Sequence, residues 1–145
     1  MKIFDHPLHV MFIHFPIGLL PMELVLSFLA YKFQDPLFAT AAFYCLMGGV
    51  ATGYIAIITG LLDLIAIPKT NKIALGTGLL HGFINGTAVL IYSIFAYKAW
   101  KAYPQIHAPS LVLLLMKSLL VLCLLIGNFL GGKLIYKYHV GINKM

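Results

Sequence analysis

Four long apolar stretches, separated by short polar breaks, organise this chain. The stretches cover about residues 7–31, 37–67, 73–99 and 110–136. Each exceeds the roughly 20 apolar residues that an α-helix needs to cross a bilayer. Each break contains proline and lysine, which are typical of helix ends. The pattern predicts a single domain over residues 1–145, made of four transmembrane helices.

The breaks are short, and this predicts how the helices are arranged. Helices joined by short connections pack as antiparallel neighbours, so we expect an all-α, up-and-down four-helix bundle. Four crossings bring both chain termini to one end of the bundle. This end also carries the break at 68–72, and we call it the terminal end. The opposite end, called the distal end, carries the breaks at 32–36 and 100–109.

Composition supports a membrane protein and excludes other classes. Hydrophobic residues make up 61% of the chain and charged residues only 10%, whereas soluble domains carry roughly 25% charged residues. The ten basic residues are all lysines and are scattered singly, which excludes a nucleic-acid-binding surface. Six lysines belong to the terminal end and three to the distal end. The positive-inside rule therefore predicts a multi-pass protein of the bacterial cytoplasmic (inner) membrane with cytoplasmic termini.

Two histidines within the apolar stretches are the first candidates for a cofactor site. Counted from the terminal end at 1.5 Å per residue, His14 and His81 lie roughly 10 and 12 Å deep. They belong to the first and third helices, which are diagonal in a four-helix ring. A b-type haem takes one axial imidazole from each side, so the pair predicts a haem between these helices. Alternatively, each histidine is a core residue bonded to a backbone carbonyl.

Other polar residues near the terminal end extend this candidate site. Asn85 lies one turn beyond His81, and Asp63 could accept the second N–H of a ligating histidine. Asp63 could equally form an interfacial ion pair with Lys69 or Lys133. His6 and His9, at the membrane surface, are further candidate metal ligands. Together with His14, His81 and Asp63, His6 defines an alternative non-haem Fe, Cu or Zn site, or a quinone site.

A second polar pair lies toward the distal end. Glu23 and Lys117 each stand about eight residues in from that end, on the first and fourth helices, which are neighbours in a closed ring. Charged groups at this depth are costly unless they are paired. We therefore expect a structural ion pair between them, with a proton-relay role for Glu23 as the second alternative.

Small residues recur at helical spacing and indicate where helices approach one another. The rows include Gly49 and Gly53 in the second helix, Gly127 and Gly131 in the fourth, and, in the third, Gly78, Gly82 and Gly86. Rows of this kind allow close packing of helices in lipid. Glycine rows can also clear space for a bulky ligand, and the two interpretations are compatible.

The motifs in their order along the chain resemble the DUF2231 family of predicted bacterial membrane proteins. They are His6-Pro7, His14-Phe15-Pro16-Ile17-Gly18, Thr59-Gly60-Leu61-Leu62-Asp63, His81, and Gly131-Gly132-Lys133-Leu134-Ile135-Tyr136. The family has no established function. The resemblance implies an electron-transfer setting, because some members occur with Rieske or cytochrome-like domains.

These observations predict a membrane cytochrome-like electron carrier or subunit with one bis-histidine b-type haem, rather than a stand-alone enzyme. His14 and His81 are the expected ligands, with Asp63, Asn85 and His6 around the cofactor. The expected partners are the lipid bilayer and a redox protein or larger respiratory-type complex, with a second copy of the chain as an alternative. A structural or assembly subunit without a cofactor is the remaining alternative.

Overall fold

The computed structural model describes the backbone of residues 2–3 and 6–140, with side chains from residue 8 onwards. The described residues form four long α-helices and one pair of two-residue strands. The elements in order are β1 (Lys2–Ile3), β2 (His6–Pro7), α1 (Leu8–Phe33), α2 (Pro36–Ile65), α3 (Lys72–Ala102) and α4 (Leu111–Tyr136).

Side-chain caps explain where three of the helices begin. Asp35, Asn71 and Ser110 precede α2, α3 and α4, and each side-chain oxygen accepts a hydrogen bond from a backbone N–H two or three residues later. Such bonds satisfy donors that have no partner within the helix. Pro36 occupies the first turn of α2, where its missing N–H costs nothing.

The helix bounds differ from the sequence expectation by a few residues. α1 begins at Leu8 because Pro7 belongs to β2, and it continues without interruption through Pro16 and Pro21. α2 ends two residues earlier than expected. α3 runs three residues further than expected, to Ala102. It stops before Pro104 because the residue preceding a proline disfavours the helical conformation.

The helices form the predicted up-and-down bundle, built from two hairpins. α1 packs extensively along α2, and α3 along α4, while contacts of α2 with α3 and of α1 with α4 close the ring. α1 and α3 are therefore diagonal. The fold class expected from the sequence, an all-α four-helix membrane bundle, is confirmed.

The bundle buries a narrow core and exposes a broad apolar surface. Its main core cluster consists of Leu20, Leu46, Ala88, Tyr92, Ala96, Leu120 and Leu124. Large side chains such as Phe83, 72% exposed, and Val112, 67% exposed, cover the outside. All four helices are long and apolar enough to span a membrane. Lipid therefore covers this surface, and the chain is a multi-pass membrane protein.

The glycine rows serve packing at some positions and leave others open. A Cβ at Gly49 would lie 2.6 Å from a methyl carbon of Leu20, so this glycine allows α1 and α2 to approach closely. A Cβ at Gly82 or Gly86 would meet nothing within 4 Å. The row predicted in the third helix is thus not a continuous packing surface, because these two glycines lie away from the neighbouring helices.

Candidate functional site: a histidine pair at the terminal end

Two imidazoles from diagonal helices meet inside the terminal end of the bundle. His9, in the first turn of α1, lies beside His81 of α3, with ring centroids 6.1 Å apart and ring planes at 82°. Both side chains are half-buried. The contact joins the two hairpins across the centre of the bundle.

A backbone carbonyl of the neighbouring helix holds the His9 ring. Its Nδ1 lies 2.9 Å from the carbonyl oxygen of Ala56 in α2. The hydroxyl of Thr59 is further away, 3.4 Å from the same nitrogen, and it donates within its own helix to the carbonyls of Ile55 and Ala56. The carbonyl of Ala56 is therefore the principal partner of His9.

His81 is held in the same way within the other hairpin. Its Nδ1 lies 2.7 Å from the carbonyl oxygen of Gly127 in α4. The side-chain amide of Asn85, one turn along α3, donates to the backbone carbonyl of His81 at 3.1 Å and lies 3.1 Å from Nδ1. Asn85 thus contributes to the site as the sequence suggested.

These hydrogen bonds determine where each neutral imidazole carries its proton. A carbonyl oxygen only accepts hydrogen bonds, so Nδ1 of His9 and Nδ1 of His81 must be the donors. The lone pair then resides on Nε2 of each ring. Histidines that bind metals commonly have this arrangement, in which one nitrogen donates to a carbonyl and the other coordinates.

Two glycines provide the space that the rings occupy. A Cβ at Gly60 would lie 2.8 Å from Cε1 of His9, and a Cβ at Gly131 would lie 2.8 Å from Cε1 of His81. Each glycine stands four residues after the carbonyl that binds the ring, one turn further along the same helix. The two hairpins therefore use the same local construction, a carbonyl and a glycine one turn apart, to seat one histidine each.

Asp63 and His6 complete the list of terminal-end candidates. Asp63, one turn after Thr59 in α2, interacts electrostatically with His9. The ammonium group of Lys133, a suggested partner of Asp63, lies over the ring of Phe129 at 4.7 Å from its centroid. The side chain of His6 lies outside the described residues.

His14 is not the histidine that meets His81. It is exposed on the surface of α1, five residues beyond His9. At 3.6 residues per turn, five residues turn the side chain about 140° away from the face that carries His9. The expected juxtaposition of His14 and His81 is therefore replaced by that of His9 and His81.

The depth estimate failed because the helices do not begin at one level. His9 is the second residue of α1, whereas His81 is the tenth residue of α3. For the two rings to meet, α3 must begin roughly 12 Å further out than α1. The sequence signal that could have identified His9 is the Thr59-Gly60 pair together with Gly131, since glycines beside a histidine ring allow it to pack against a helix.

The distal end holds the second polar cluster, and there the sequence expectation and the structure agree. The Lys117 ammonium group donates to Oε1 of Glu23 and to the hydroxyl of Ser27 at 2.9 Å. Ser27 in turn donates to the same carboxylate oxygen at 2.8 Å. All three side chains are buried, so α1 and α4 are joined by a desolvated ion pair.

The two clusters are the chemically distinctive parts of the described chain. Within residues 8–140, no group of three or more histidine, cysteine, aspartate or glutamate side chains is placed to hold a metal ion. Cys45 and Cys123 are both free thiols. A site built by described residues alone thus offers two imidazole ligands rather than a complete metal-binding set.

Comparison with known proteins gives a family and no function. No curated protein and no solved structure matches the chain. The model of one family, described as a predicted membrane protein, matches residues 5–144, and this range includes all four helices and both polar clusters. The chain therefore belongs to the DUF2231 family of membrane proteins.

Proposed function

We propose that this protein is a membrane electron-transfer protein or subunit that binds one b-type haem at the terminal end, with His9 and His81 as axial ligands. The observation that carries the proposal is the pair of facing imidazoles whose Nδ1 atoms are both bonded to backbone carbonyls. In that pattern the lone pair of each neutral imidazole resides on Nε2.

The separation of the rings is compatible with a shared iron atom. The ring centroids of His9 and His81 lie 6.1 Å apart, so both side chains could reach one iron atom bound between them. The fixed tautomers support ligation further, because neither ring must exchange its proton to offer Nε2.

The number of ligands favours haem over a bare metal ion. Protein zinc sites use three or four side chains, whereas haem brings four nitrogens of its own and requires only two axial ligands. The described residues offer two histidines and no three-residue cluster. A haem iron supplies one-electron oxidation and reduction when it is bound in such a site.

The surrounding residues would hold the ligands rather than react. The carbonyls of Ala56 and Gly127 orient the two rings, and Gly60 and Gly131 let them pack against α2 and α4. Asp63 lies close enough to His9 to interact electrostatically with that ring. Because the histidine pair lies at the terminal end, a redox partner or larger respiratory-type complex would dock there.

An absorbance spectrum tests this proposal directly. The protein is expressed with ample haem, purified in detergent, and examined for a Soret band that shifts on reduction with dithionite. We expect about one haem per chain. His9→Ala and His81→Ala should each lose most of the bound haem, because each variant lacks one axial ligand.

His107→Ala serves as the matched control, since His107 belongs to the distal loop between α3 and α4 and should leave the spectrum unchanged. His14→Ala distinguishes the two ligand assignments. Loss of haem in His14→Ala with retention in His9→Ala would overturn the assignment of His9. A colourless wild-type protein would overturn the haem proposal, and stoichiometric Fe, Cu or Zn in that sample would replace it with a non-haem site.

We further propose that the terminal end faces the cytoplasm of a bacterium. The described connections and helix ends on that side carry four lysines, at 69, 72, 133 and 137, and the distal end carries three, at 32, 98 and 101. Lysines in short loops favour the cytoplasmic side. Reporters fused after residue 145 test this orientation: green fluorescence is expected, and alkaline phosphatase activity would contradict it.

A further inference from the structure

A cavity at the distal end reaches from the membrane interface to the buried ion pair. Its volume is about 550 Å³, and all four helices and the α3–α4 loop contribute to its wall. Exposed His107 and Ser110 belong to the wall at the interface, whereas Glu23 and Lys117 belong to its buried part. Between them the lining is mostly apolar and includes Phe43 and Phe95.

Glu23, which lines the buried part of the cavity, has one carboxylate oxygen without a hydrogen-bond partner among the described residues. Oε1 of Glu23 accepts from both Lys117 and Ser27, but Oε2, which is also buried, has no hydrogen-bond partner among the described residues. Glu23 itself is only 1% exposed. Buried polar atoms are nearly always hydrogen-bonded, so an unpartnered carboxylate oxygen on a residue that lines the cavity points to a missing donor.

We propose that this cavity binds a membrane-soluble phenol or hydroquinone whose hydroxyl group donates to Oε2 of Glu23. The volume lies within the range of small-molecule sites, which combine an apolar or aromatic lining with a few convergent polar groups. An apolar ring matches the lining beside Phe43 and Phe95. The hydroxyl group supplies the donor that the protein does not.

The charges at the site select against other ligand classes. The Lys117 ammonium group is already engaged by Glu23 and Ser27, so it does not favour an anionic ligand. A second cation beside Lys117 would meet like charge. A neutral molecule with a hydroxyl donor satisfies Oε2 without disturbing the ion pair.

A pair of matched probes tests the proposal. An alkyl-substituted 1,4-hydroquinone and its dimethyl ether have similar apolar bodies, but only the first donates hydrogen bonds. Binding to the purified protein in lipid nanodiscs is measured as a concentration-dependent rise in the thermal midpoint. We expect the hydroquinone to bind at least about tenfold more tightly than the ether, since one hydrogen bond to a charged acceptor is lost.

Two variants locate the binding site. Ala99→Phe fills the cavity without changing the ion pair and should abolish hydroquinone binding, while Ala51→Phe, on the exposed surface of α2, should leave it intact. The double variant Glu23→Leu/Lys117→Leu removes the acceptor together with its partner and should bind the two probes equally.

Equal binding of both probes to the wild-type protein, or of neither, overturns the proposal. So does full hydroquinone binding by Ala99→Phe. Because the cavity and the histidine pair lie at opposite ends of the bundle, these results do not depend on whether haem is bound at the terminal end.

Discussion

The two ends of the bundle bury polar side chains in different ways. At the terminal end, each histidine of the pair is oriented by a hydrogen bond to a carbonyl of the neighbouring helix in its own hairpin. At the distal end, Glu23 and Lys117 carry opposite charges and satisfy each other between α1 and α4. The first arrangement relies on the backbone, and the second relies on another side chain.

This difference has consequences for what each end can bind. A neutral imidazole held by one nitrogen keeps the other nitrogen for a ligand, so the terminal end offers two lone pairs. The ion pair uses one carboxylate oxygen for two donors and leaves the other with none. The terminal end therefore suits coordination, and the distal end suits a hydrogen-bond donor.

Substitutions at the two ends should change the stability of the protein by different amounts. Lys117→Met should have the largest effect on stability, lowering the free energy of unfolding by about 3–5 kcal/mol, because it leaves the Glu23 carboxylate buried without its counter-charge. Reversible unfolding in mixed micelles, followed by circular dichroism, measures the change.

The double variant Glu23→Leu/Lys117→Leu is the control for this prediction. Replacing both members of a buried pair by apolar residues is often neutral or stabilising, so we expect the double variant to be more stable than Lys117→Met alone. A double variant as unstable as the single variant would show that the cluster contributes through packing rather than through charge.

The next largest loss of stability is expected from substitution of a glycine that packs against a histidine ring at the terminal end. Gly131→Ala places a Cβ 2.8 Å from Cε1 of His81, so the ring must move. Overpacking of this kind costs about 1–3 kcal/mol. Gly132→Ala is the matched control, because a Cβ there meets nothing within 4 Å.

The same two variants can be examined for bound haem. Displacement of the His81 ring should reduce the haem content of Gly131→Ala but not that of Gly132→Ala. Equal stability and equal haem content of the two variants would contradict the seating of His81 against Gly131.

A smaller effect is expected at Asn85. Asn85→Ala removes the amide that donates to the His81 carbonyl and contacts its Nδ1, and one hydrogen bond contributes about 1 kcal/mol. Unfolding of Asn85→Ala, His81→Ala and the double variant gives their coupling energy. Because His81→Ala keeps the backbone carbonyl to which Asn85 donates, additive effects of the two substitutions would show that Asn85 does not support the His81 side chain.

The smallest change in unfolding free energy is expected for substitution of Thr59, although its hydroxyl lies near His9. Its hydroxyl lies 3.4 Å from Nδ1 of His9 and donates to carbonyls of its own helix. At that distance the hydrogen bond is weak, so Thr59→Val should change the unfolding free energy by less than about 0.5 kcal/mol. A loss as large as that at Asn85 would mean that Thr59 is a principal partner of His9.

Two features of the molecule follow from the sequence alone, for simple reasons. Apolar stretches longer than a bilayer crossing must become helices in lipid, because every backbone polar group needs a partner there. Glu23 and Lys117 stand at similar distances from the polar breaks at the distal end, on neighbouring helices, and buried charges need each other. The lengths of the apolar stretches predicted the helices, and counting residues from the distal breaks predicted the ion pair.

The histidine pair required the tertiary structure. The sequence pointed to His14 as the partner of His81. The rotation of α1 about its axis and the different starting levels of α1 and α3 bring His9 to His81 instead. Those quantities depend on how side chains such as Leu20 pack against Gly49 along the whole hairpin. The sequence thus determined the helices and the need to pair buried charges, and the packing of the helices decided which imidazoles face each other.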